Sequence, residues 1–169
     1  MYLKNMILED RVGRMEEDEL LDIIRKAVLS PSVLGEIVYH MESQMNAEER
    51  FPYHLLAPIS PRSIAISTAG SVEWNENQII VYSEVLWGKT VWKVFGDCEG
   101  LECLLILDIA MDGDSIVSAA KAIRDADGIC TKAFVFVDWE KGARTACEEN
   151  GIKMYSCLKK SDFEIEGEK

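Results

Sequence analysis

The residues best placed to do chemistry in this chain lie between Asp108 and Ser115. Asp108 is the acid near the end of an apolar run, residues 101–109 (LECLLILDI), and a glycine-containing turn, residues 110–114, follows it. A helix is expected to begin at Ser115, with Asp114 or Ser115 as its N-cap. Ligands of parallel sheets bind at the carboxyl ends of strands, beside the free amides of helix N-termini. Asp108 is therefore a candidate ligand-binding or metal-binding residue, with a turn cap as the alternative.

Charged residues in this turn, and an arginine upstream of it, allow two kinds of site. Asp112 and Asp114 could bind Mg²⁺ or Ca²⁺ together with Asp108, although their spacing fits no standard metal-binding loop. A plain cap and turn is the alternative for both acids. Arg62, further upstream, is a candidate anion ligand, with a surface salt bridge as the alternative.

The histidines and tryptophans favour structural roles. His40 and His54 have no paired nucleophile in the pattern, so catalysis by either is the less favoured interpretation. Trp87, Trp92 and Trp139 are expected to pack in the core or at an interface, with stacking of a base on Trp139 as the alternative.

The elements that must position these residues alternate between strands and helices. The run at 101–109 suits a strand buried on both faces, and the following helix, which ends near Gly128, leads into a second buried strand at 133–137. Apolar spacing predicts helices at 16–29, from Pro31 onward, at 64–69 and at 141–150, and strands at 53–59, 78–83 and 152–158. Residues 84–100 read as a mobile loop or an irregular hairpin. The pattern predicts an α/β fold with a mainly parallel sheet.

Composition excludes several classes of partner. The chain has 169 residues with 18 basic and 30 acidic side chains, a net charge of −12. Nucleic acids and anionic membranes are disfavoured because both need a basic patch, and no apolar run approaches the ~20 residues of a membrane span. The charged N-terminus and five cysteines without a CxxC pair predict a cytoplasmic protein with reduced, mostly buried thiols.

Five segments, in order, resemble the type I phosphoribosyltransferases, and the orotate phosphoribosyltransferases in particular. The main ones are 106–115 (ILDIAMDGDS), 118–128 (SAAKAIRDADG) and 137–143 (VDWEKGA). Glu99-Gly100 is similar to the family's entry to the central strand, and Pro61-Arg62-Ser63 is similar to its diphosphate loop. The resemblance covers residues 53–158.

The resemblance implies a type I phosphoribosyltransferase-like fold, with a central, mainly parallel sheet flanked by helices and a reduced N-terminal hood. Residues 1–52 would form helices packed on the core at 53–158, and residues 159–169 a polar tail, all within one domain. It further implies a sugar-phosphate or nucleotide ligand, above all phosphoribosyl diphosphate (PRPP). Nucleotide metabolism, pyrimidine synthesis included, Mg²⁺ if the chain is active, and a homodimer are implied as well.

Site roles carried over from the family fall on ten positions. Asp108 would hold the ribose and a metal, and Lys89 and Lys93 are the cationic candidates of the catalytic loop. The remaining positions would bind substrate: Arg62 and Ser63 the diphosphate, Asp112, Gly113, Asp114 and Ser115 the 5′-phosphate, and Trp139 the base.

The chain departs from the family pattern at several of these positions. Leu107 stands where the family carries the first of two paired acids. Met111-Asp112-Gly113-Asp114 stands where the family carries Thr-Thr-Gly-Gly. Trp139 stands where orotate enzymes carry an arginine. A carboxylate such as that of Asp112 or Asp114, placed about 4 Å from a phosphate charge, would weaken binding by ~4 kcal/mol at an effective dielectric near 20. This corresponds to a roughly thousandfold loss of affinity.

Three hypotheses follow from these departures. The first is a degenerate family member that serves as a ligand-binding, regulatory or assembly protein. The second is an active phosphoribosyltransferase for orotate or another base. The third is a subunit that docks a partner through residues 84–98, and it predicts a contiguous apolar patch around residues 85–95.

Overall fold

A five-stranded parallel sheet forms the centre of the protein. The computed structural model describes residues 2–8, 16–47 and 53–163. The strands run in the order β2-β1-β5-β6-β7, and every neighbouring pair is parallel. Their bounds are β1 Leu55–Pro58, β2 Asn77–Gln78, β5 Glu102–Ala110, β6 Ile129–Asp138 and β7 Lys153–Lys159. The predicted α/β fold with a central parallel sheet is confirmed.

Helices cover both faces of this sheet. They are α1 Tyr2–Leu8, α2 Glu17–Ala27, α3 Pro31–Ala47, α4 Pro61–Trp74, α5 Asp114–Asp125 and α6 Ala143–Glu149, with a 3₁₀ turn at Lys160–Asp162. Successive side chains of a strand point to opposite faces, and β5 shows it: Leu104 and Ile106 pack with α1–α4, whereas Cys103 and Leu105 pack with α5 and α6. The apolar run of β5 therefore serves two cores.

A regular antiparallel hairpin replaces the mobile loop or irregular hairpin predicted at residues 84–100. Strands β3 (Ile80–Leu86) and β4 (Lys89–Phe95) pair over seven positions around the two-residue turn Trp87-Gly88. Both turn residues have positive φ, 53° and 73°, as the twist of a tight hairpin requires. The predicted strand at 78–83 is thus divided between β2 and β3.

Other predicted bounds also change. Three helices, not two, precede β1 in the described residues, because the seven-residue α1 was missed. Helix α4 continues to Trp74, beyond the predicted end at residue 69, and stops where Asn75 adopts a left-handed conformation. Residues 159–169 were predicted to form a polar tail, but Phe163 is buried in the core. Residues 48–52 of the predicted N-terminal region, and residues 164–169 of the predicted tail, lie outside the described part.

No helix among the described residues is both long and apolar enough to cross a membrane.

Candidate functional site

Two of the segments singled out from the sequence meet at the carboxyl ends of neighbouring strands. Strands β1 and β5 are parallel and in register from Leu55 opposite Cys103 to Pro58 opposite Ile106. The segment that follows β1, residues 60–63, therefore lies beside Asp108 near the end of β5. Asp108 is buried, with only 2% of its surface exposed.

Both carboxylate oxygens of Asp108 are held by side chains from the β1–α4 segment. The Ser60 hydroxyl donates to Oδ1 at 2.7 Å, and Arg62 Nε donates to Oδ2 at 2.5 Å. The Arg62 side chain is 40% exposed. The candidate anion ligand and the candidate ribose ligand thus form an ion pair with each other. Ser60 was not predicted as a site residue.

Ser63 is occupied by the turn that begins α4. Its hydroxyl donates to the Ser60 carbonyl at 3.0 Å and accepts the Ser60 and Ile59 amides at 2.9 and 3.1 Å. The Ser63 amide in turn donates to the Ser60 hydroxyl, which completes a capping box. The Ser63 side chain is fully buried and its hydroxyl is hydrogen-bonded within the turn, and its role in binding diphosphate stays a prediction. The spacing of the two serines around Pro61 was the available signal.

The turn between β5 and α5 is closed by its own aspartate. Asp112 Oδ1 accepts the amide of Asp114 at 3.1 Å, and the helix begins at Asp114. The N-cap was predicted to be Asp114 or Ser115. It is instead Gly113, which supplies no side chain. Asp112, Asp114 and Ser115 are all exposed. Two carboxylates and one hydroxyl therefore surround the N-terminus of α5, where the dipole already favours negative charge.

Gly113 brings this turn into contact with α6. Its φ is 92°, and a Cβ there would lie 3.0 Å from the Ala143 Cα and carbonyl oxygen and from the Ala146 Cβ. Only glycine combines that conformation with such an approach.

A protein-held magnesium ion does not fit these residues. The described part of the chain contains no group of three or more His, Cys, Asp or Glu side chains able to hold a metal. Asp108, the predicted metal ligand, directs one oxygen to a hydroxyl proton and the other to a guanidinium. Oxygen ligands of Mg²⁺ must be free to coordinate the ion, and both oxygens of Asp108 are occupied in this structure. Its role as a metal ligand stays a prediction.

Trp139 belongs to the core and not to an open base site. Its side chain is 1% exposed, and its Nε1 donates to Glu17 Oε1 at 2.7 Å. Lys141 Nζ contacts the same oxygen at 2.7 Å, and Lys160 Nζ lies 5.9 Å from the Trp139 ring centroid. The Trp139 indole is enclosed in this structure, and its role in binding a base stays a prediction.

Glu17 therefore joins α2 to the segment after β6. Hydrogen bonds from Lys141 and Trp139, and the charge of Lys160, lower the pKa of Glu17 to about 2. The partners Glu17 and Trp139 are 122 positions apart, and no local pattern in the sequence pointed to this contact.

A second buried acid, Asp138, ends β6. Arg144 Nη2 lies 3.2 Å from Asp138 Oδ2, and the Glu140 amide donates to Oδ1 at 2.9 Å. Arg144 also donates to the Met154 carbonyl at 2.6 Å, which ties α6 to β7. Arg144 was missed by the sequence analysis. The Asp138 carboxylate is thus satisfied within the fold.

The two lysine candidates lie on the hairpin. Lys93 Nζ is 2.6 Å from Glu84 Oε2, and this bond raises the pKa of Lys93. Lys89 is exposed beside the Trp87-Gly88 turn. Among the described residues, no hydrogen bond or ion pair joins either lysine to Asp108, so their catalytic role stays a prediction.

The chain is similar in sequence to several proteins named orotate phosphoribosyltransferase. No protein-family model matches it. It is 30% identical over 149 residues to the orotate phosphoribosyltransferase of Methanothermobacter thermautotrophicus, covering 88% of this chain and 79% of that protein. It is 29% identical over 133 residues to the orotate phosphoribosyltransferase of Pyrococcus furiosus, covering 78% and 72%.

Solved structures agree on the fold. The crystal structure of orotate phosphoribosyltransferase from Aeropyrum pernix superposes with a TM-score of 0.71 at 18% identity, covering 82% of this chain and 77% of that one. The Mycobacterium tuberculosis enzyme in complex with PRPP gives a TM-score of 0.66 at 19% identity, covering 85% and 89%. From the sequence relationship and the shared parallel sheet, this chain belongs to the orotate phosphoribosyltransferase family.

Proposed function

We propose that this chain is a non-catalytic member of the orotate phosphoribosyltransferase family, which serves as a ligand-binding, regulatory or assembly protein. The observation that carries the proposal is the ion pair between Arg62 and Asp108. PRPP would need Asp108 for its ribose hydroxyls and Arg62 for its diphosphate. Each group is instead the partner of the other, and Asp108 is 2% exposed.

Separating this pair is costly. Breaking a buried ion pair by removing one partner destabilises a protein by about 3–5 kcal/mol, because a buried charge is left uncompensated. A ligand that took Arg62 away from Asp108 would have to offset a cost of this kind. The same ligand would have to restore a hydrogen-bond donor to Asp108.

The charge of the α5 turn opposes a phosphate as well. Asp112 already accepts the Asp114 amide, one of the donors that a phosphate would use. Each carboxylate about 4 Å from a phosphate charge costs ~4 kcal/mol at an effective dielectric of 20. Two exposed carboxylates would be screened by salt, yet both act in the same direction.

An active phosphoribosyltransferase is the second candidate. It is favoured by the relationship to proteins named orotate phosphoribosyltransferase, which for one relative extends along 79% of that protein's length. In that case Arg62 would turn to the diphosphate, Asp108 to the ribose and Ser115 to the 5′-phosphate, and Mg²⁺ would arrive with PRPP. A homodimer and a role in pyrimidine synthesis belong to the same proposal.

Calorimetric titration with PRPP and MgCl₂ tests the proposal directly. We expect no saturable binding by the wild-type chain at millimolar ligand, and no consumption of orotate when PRPP is present. The variant Asp112→Thr with Asp114→Gly removes both carboxylates and adds a hydroxyl. We expect it to gain measurable affinity for PRPP or inorganic phosphate.

The same pair of changes at the other end of α5 is the matched control. Asp125→Thr with Asp127→Gly alters the net charge equally, and glycine suits the left-handed φ of 58° at Asp127. This variant should gain no affinity. Saturable, magnesium-dependent binding of PRPP by the wild-type chain, lost on Asp108→Asn, would instead establish the active enzyme.

A further inference from the structure

Helix α2 carries an acidic residue on its core-facing side. Leu20, Leu21 and Ile24 of this helix are buried in the core. Glu17 precedes them by three, four and seven positions, so it lies at the end of the same stripe. The first turn of α2 contains two further acids, so the helix dipole is compensated without Glu17. A carboxylate on a core-facing stripe needs partners of its own.

Three nitrogen donors converge on the Glu17 carboxylate. Trp139 Nε1 and Lys141 Nζ each donate to Oε1 at 2.7 Å, and Lys160 Nζ lies 3.5 Å from Oε2. These donors belong to the segment after β6 and the 3₁₀ turn after β7, both far from α2 in the sequence. Two positive charges and an indole N–H around one carboxylate make strong, charge-assisted hydrogen bonds. We call Trp139, Lys141 and Lys160 the carboxylate site.

The carboxylate site is held in place from the sheet side. The Trp139 amide donates to the Ala110 carbonyl, at the end of β5, at 2.9 Å. The Lys160 side chain is only 12% exposed. Its neighbour Ser161 donates its amide to Glu140 Oε2 at 2.8 Å, which joins the two segments that supply the donors. The donors are therefore fixed relative to the sheet, and only the acceptor comes from a separate helix.

The backbone of this site is strained at one residue. Glu140, between the donors Trp139 and Lys141, has a φ of 57°, a left-handed conformation that is uncommon for a residue other than glycine. Such conformations persist where surrounding contacts enforce them, and they cluster at ligand clamps. Here the Glu140 amide donates to Asp138 Oδ1 at 2.9 Å, and the Glu140 carboxylate accepts the Ser161 amide. The strained turn presents both neighbouring donors to the same oxygen.

We propose that α2 is an autoinhibitory lid, whose Glu17 occupies the carboxylate site until the carboxylate group of a small ligand replaces it. The ligand would accept the hydrogen bonds of Trp139 and the two lysines while the first turn of α2 moves aside. The Glu17 side chain is 37% exposed, so the site has an opening to solvent. The lid closes the carboxyl end of β6, where parallel sheets bind ligands, and the inference rests on the ligand-binding role proposed above.

A tethered carboxylate competes strongly with a free one. Because Glu17 is part of the chain, its effective concentration at the site is of millimolar order or higher. A free carboxylate therefore binds with an affinity reduced by the fraction of molecules whose site is open. Removing the Glu17 carboxylate removes the competitor and leaves all three donors. Affinity for the free ligand should then rise, whereas a purely structural ion pair would lose stability and gain no ligand.

Glu17→Ala tests the lid, with sodium acetate as the probe. The indole N–H resonance of Trp139 reports on the occupant of the site in ¹H–¹⁵N spectra, and the variants Trp74→Phe, Trp87→Phe and Trp92→Phe assign it by elimination. We expect acetate to shift this resonance saturably in Glu17→Ala, with an apparent Kd at least about 10-fold lower than in wild type. Sodium chloride at the same ionic strength corrects for screening.

Three variants serve as matched comparisons. Asp18→Ala removes an exposed acid from the same turn of α2 and changes the net charge equally, so its acetate affinity should equal that of wild type. Glu17→Gln keeps a side chain of the same size in the site and should bind acetate more weakly than Glu17→Ala. Glu17→Asp retracts the carboxylate by one methylene and should fall between wild type and Glu17→Ala. It makes the same comparison with the negative charge retained, should Glu17→Ala fail to fold.

Two results would overturn the lid. One is a folded Glu17→Ala, or Glu17→Asp in its place, that binds acetate no more tightly than wild type. The other is an equal gain of acetate affinity in Asp18→Ala, which would show that charge alone controls binding. PRPP and Mg²⁺ are absent from these titrations. Saturable PRPP binding by the wild-type chain would therefore refute the proposed function, whereas failure of acetate binding would refute the lid alone.

Discussion

Removing Arg62 should lower the free energy of unfolding more than removing Asp108, although the two residues form one ion pair. Arg62→Met leaves the Asp108 carboxylate buried, with only the Ser60 hydroxyl as a partner. Removing one partner of a buried ion pair destabilises a protein by about 3–5 kcal/mol. We expect about 3 kcal/mol here, because the guanidinium side of the pair is partly solvated. Asp108→Asn still accepts the Ser60 hydroxyl, and the 40% exposed Arg62 can regain water. Its cost should be about 1 kcal/mol.

These costs convert into separate melting temperatures. For a chain of this size 1 kcal/mol shifts the melting temperature by roughly 2–4 °C, so Arg62→Met should melt about 6–12 °C below wild type and Asp108→Asn about 2–4 °C below. The double variant should lose less than the sum. Lys121→Met breaks an exposed pair with Asp125 and should change stability by under ~0.5 kcal/mol. If Asp108→Asn proved the more damaging change, the argument from unequal burial would fail.

Three further predictions concern α2, the α5 turn and the thiols. The pKa of Glu17 is lowered from 4.5 to about 2, so its ionised form stabilises the fold: the difference in melting temperature between wild type and Glu17→Gln should be full at neutral pH and disappear as the pH falls from 4.5 toward 2. Gly113→Ala should cost about 1–3 kcal/mol in urea unfolding, and more than Gly142→Ala, because Gly142 has a similar φ of 102° but open space at its Cβ. Burial raises the pKa of Cys103 and Cys130 to about 12, so disulfide reagents should modify both only after unfolding; modification of the folded chain at neutral pH would contradict their placement in the core.

Much of the fold was predictable because local patterns set local structure. The apolar run that became β5, the amphipathic spacing of α5 and the glycine-rich punctuation between them were sufficient for the strand, turn, helix and second strand. Short elements were harder to predict. The seven-residue α1 is too short for its periodicity to stand out, and the hairpin turn uses Trp87, which no turn preference would select.

The position of the candidate site could be predicted from the sequence, but the contacts of its side chains could not. The acid near the end of β5, the turn after it and the arginine after β1 could all be located from the sequence, because the carboxyl ends of parallel strands meet at one edge of a sheet. Which partner each side chain takes could not. Asp108 and Arg62 are 46 positions apart, and Trp139 and Glu17 are 122 apart.

By itself, then, the sequence determined the order of the longer strands and helices other than α1 and β4, the anionic character of the chain and the carboxylates of the α5 turn. Only the tertiary structure decided that Arg62 neutralises Asp108, that Trp139 is enclosed under α2 and that Trp87 stands free at the hairpin tip. The physical reason is that backbone propensity and hydrophobic spacing act between near neighbours along the chain. Ion pairs, enclosure and exposure depend on which distant segments the sheet brings together.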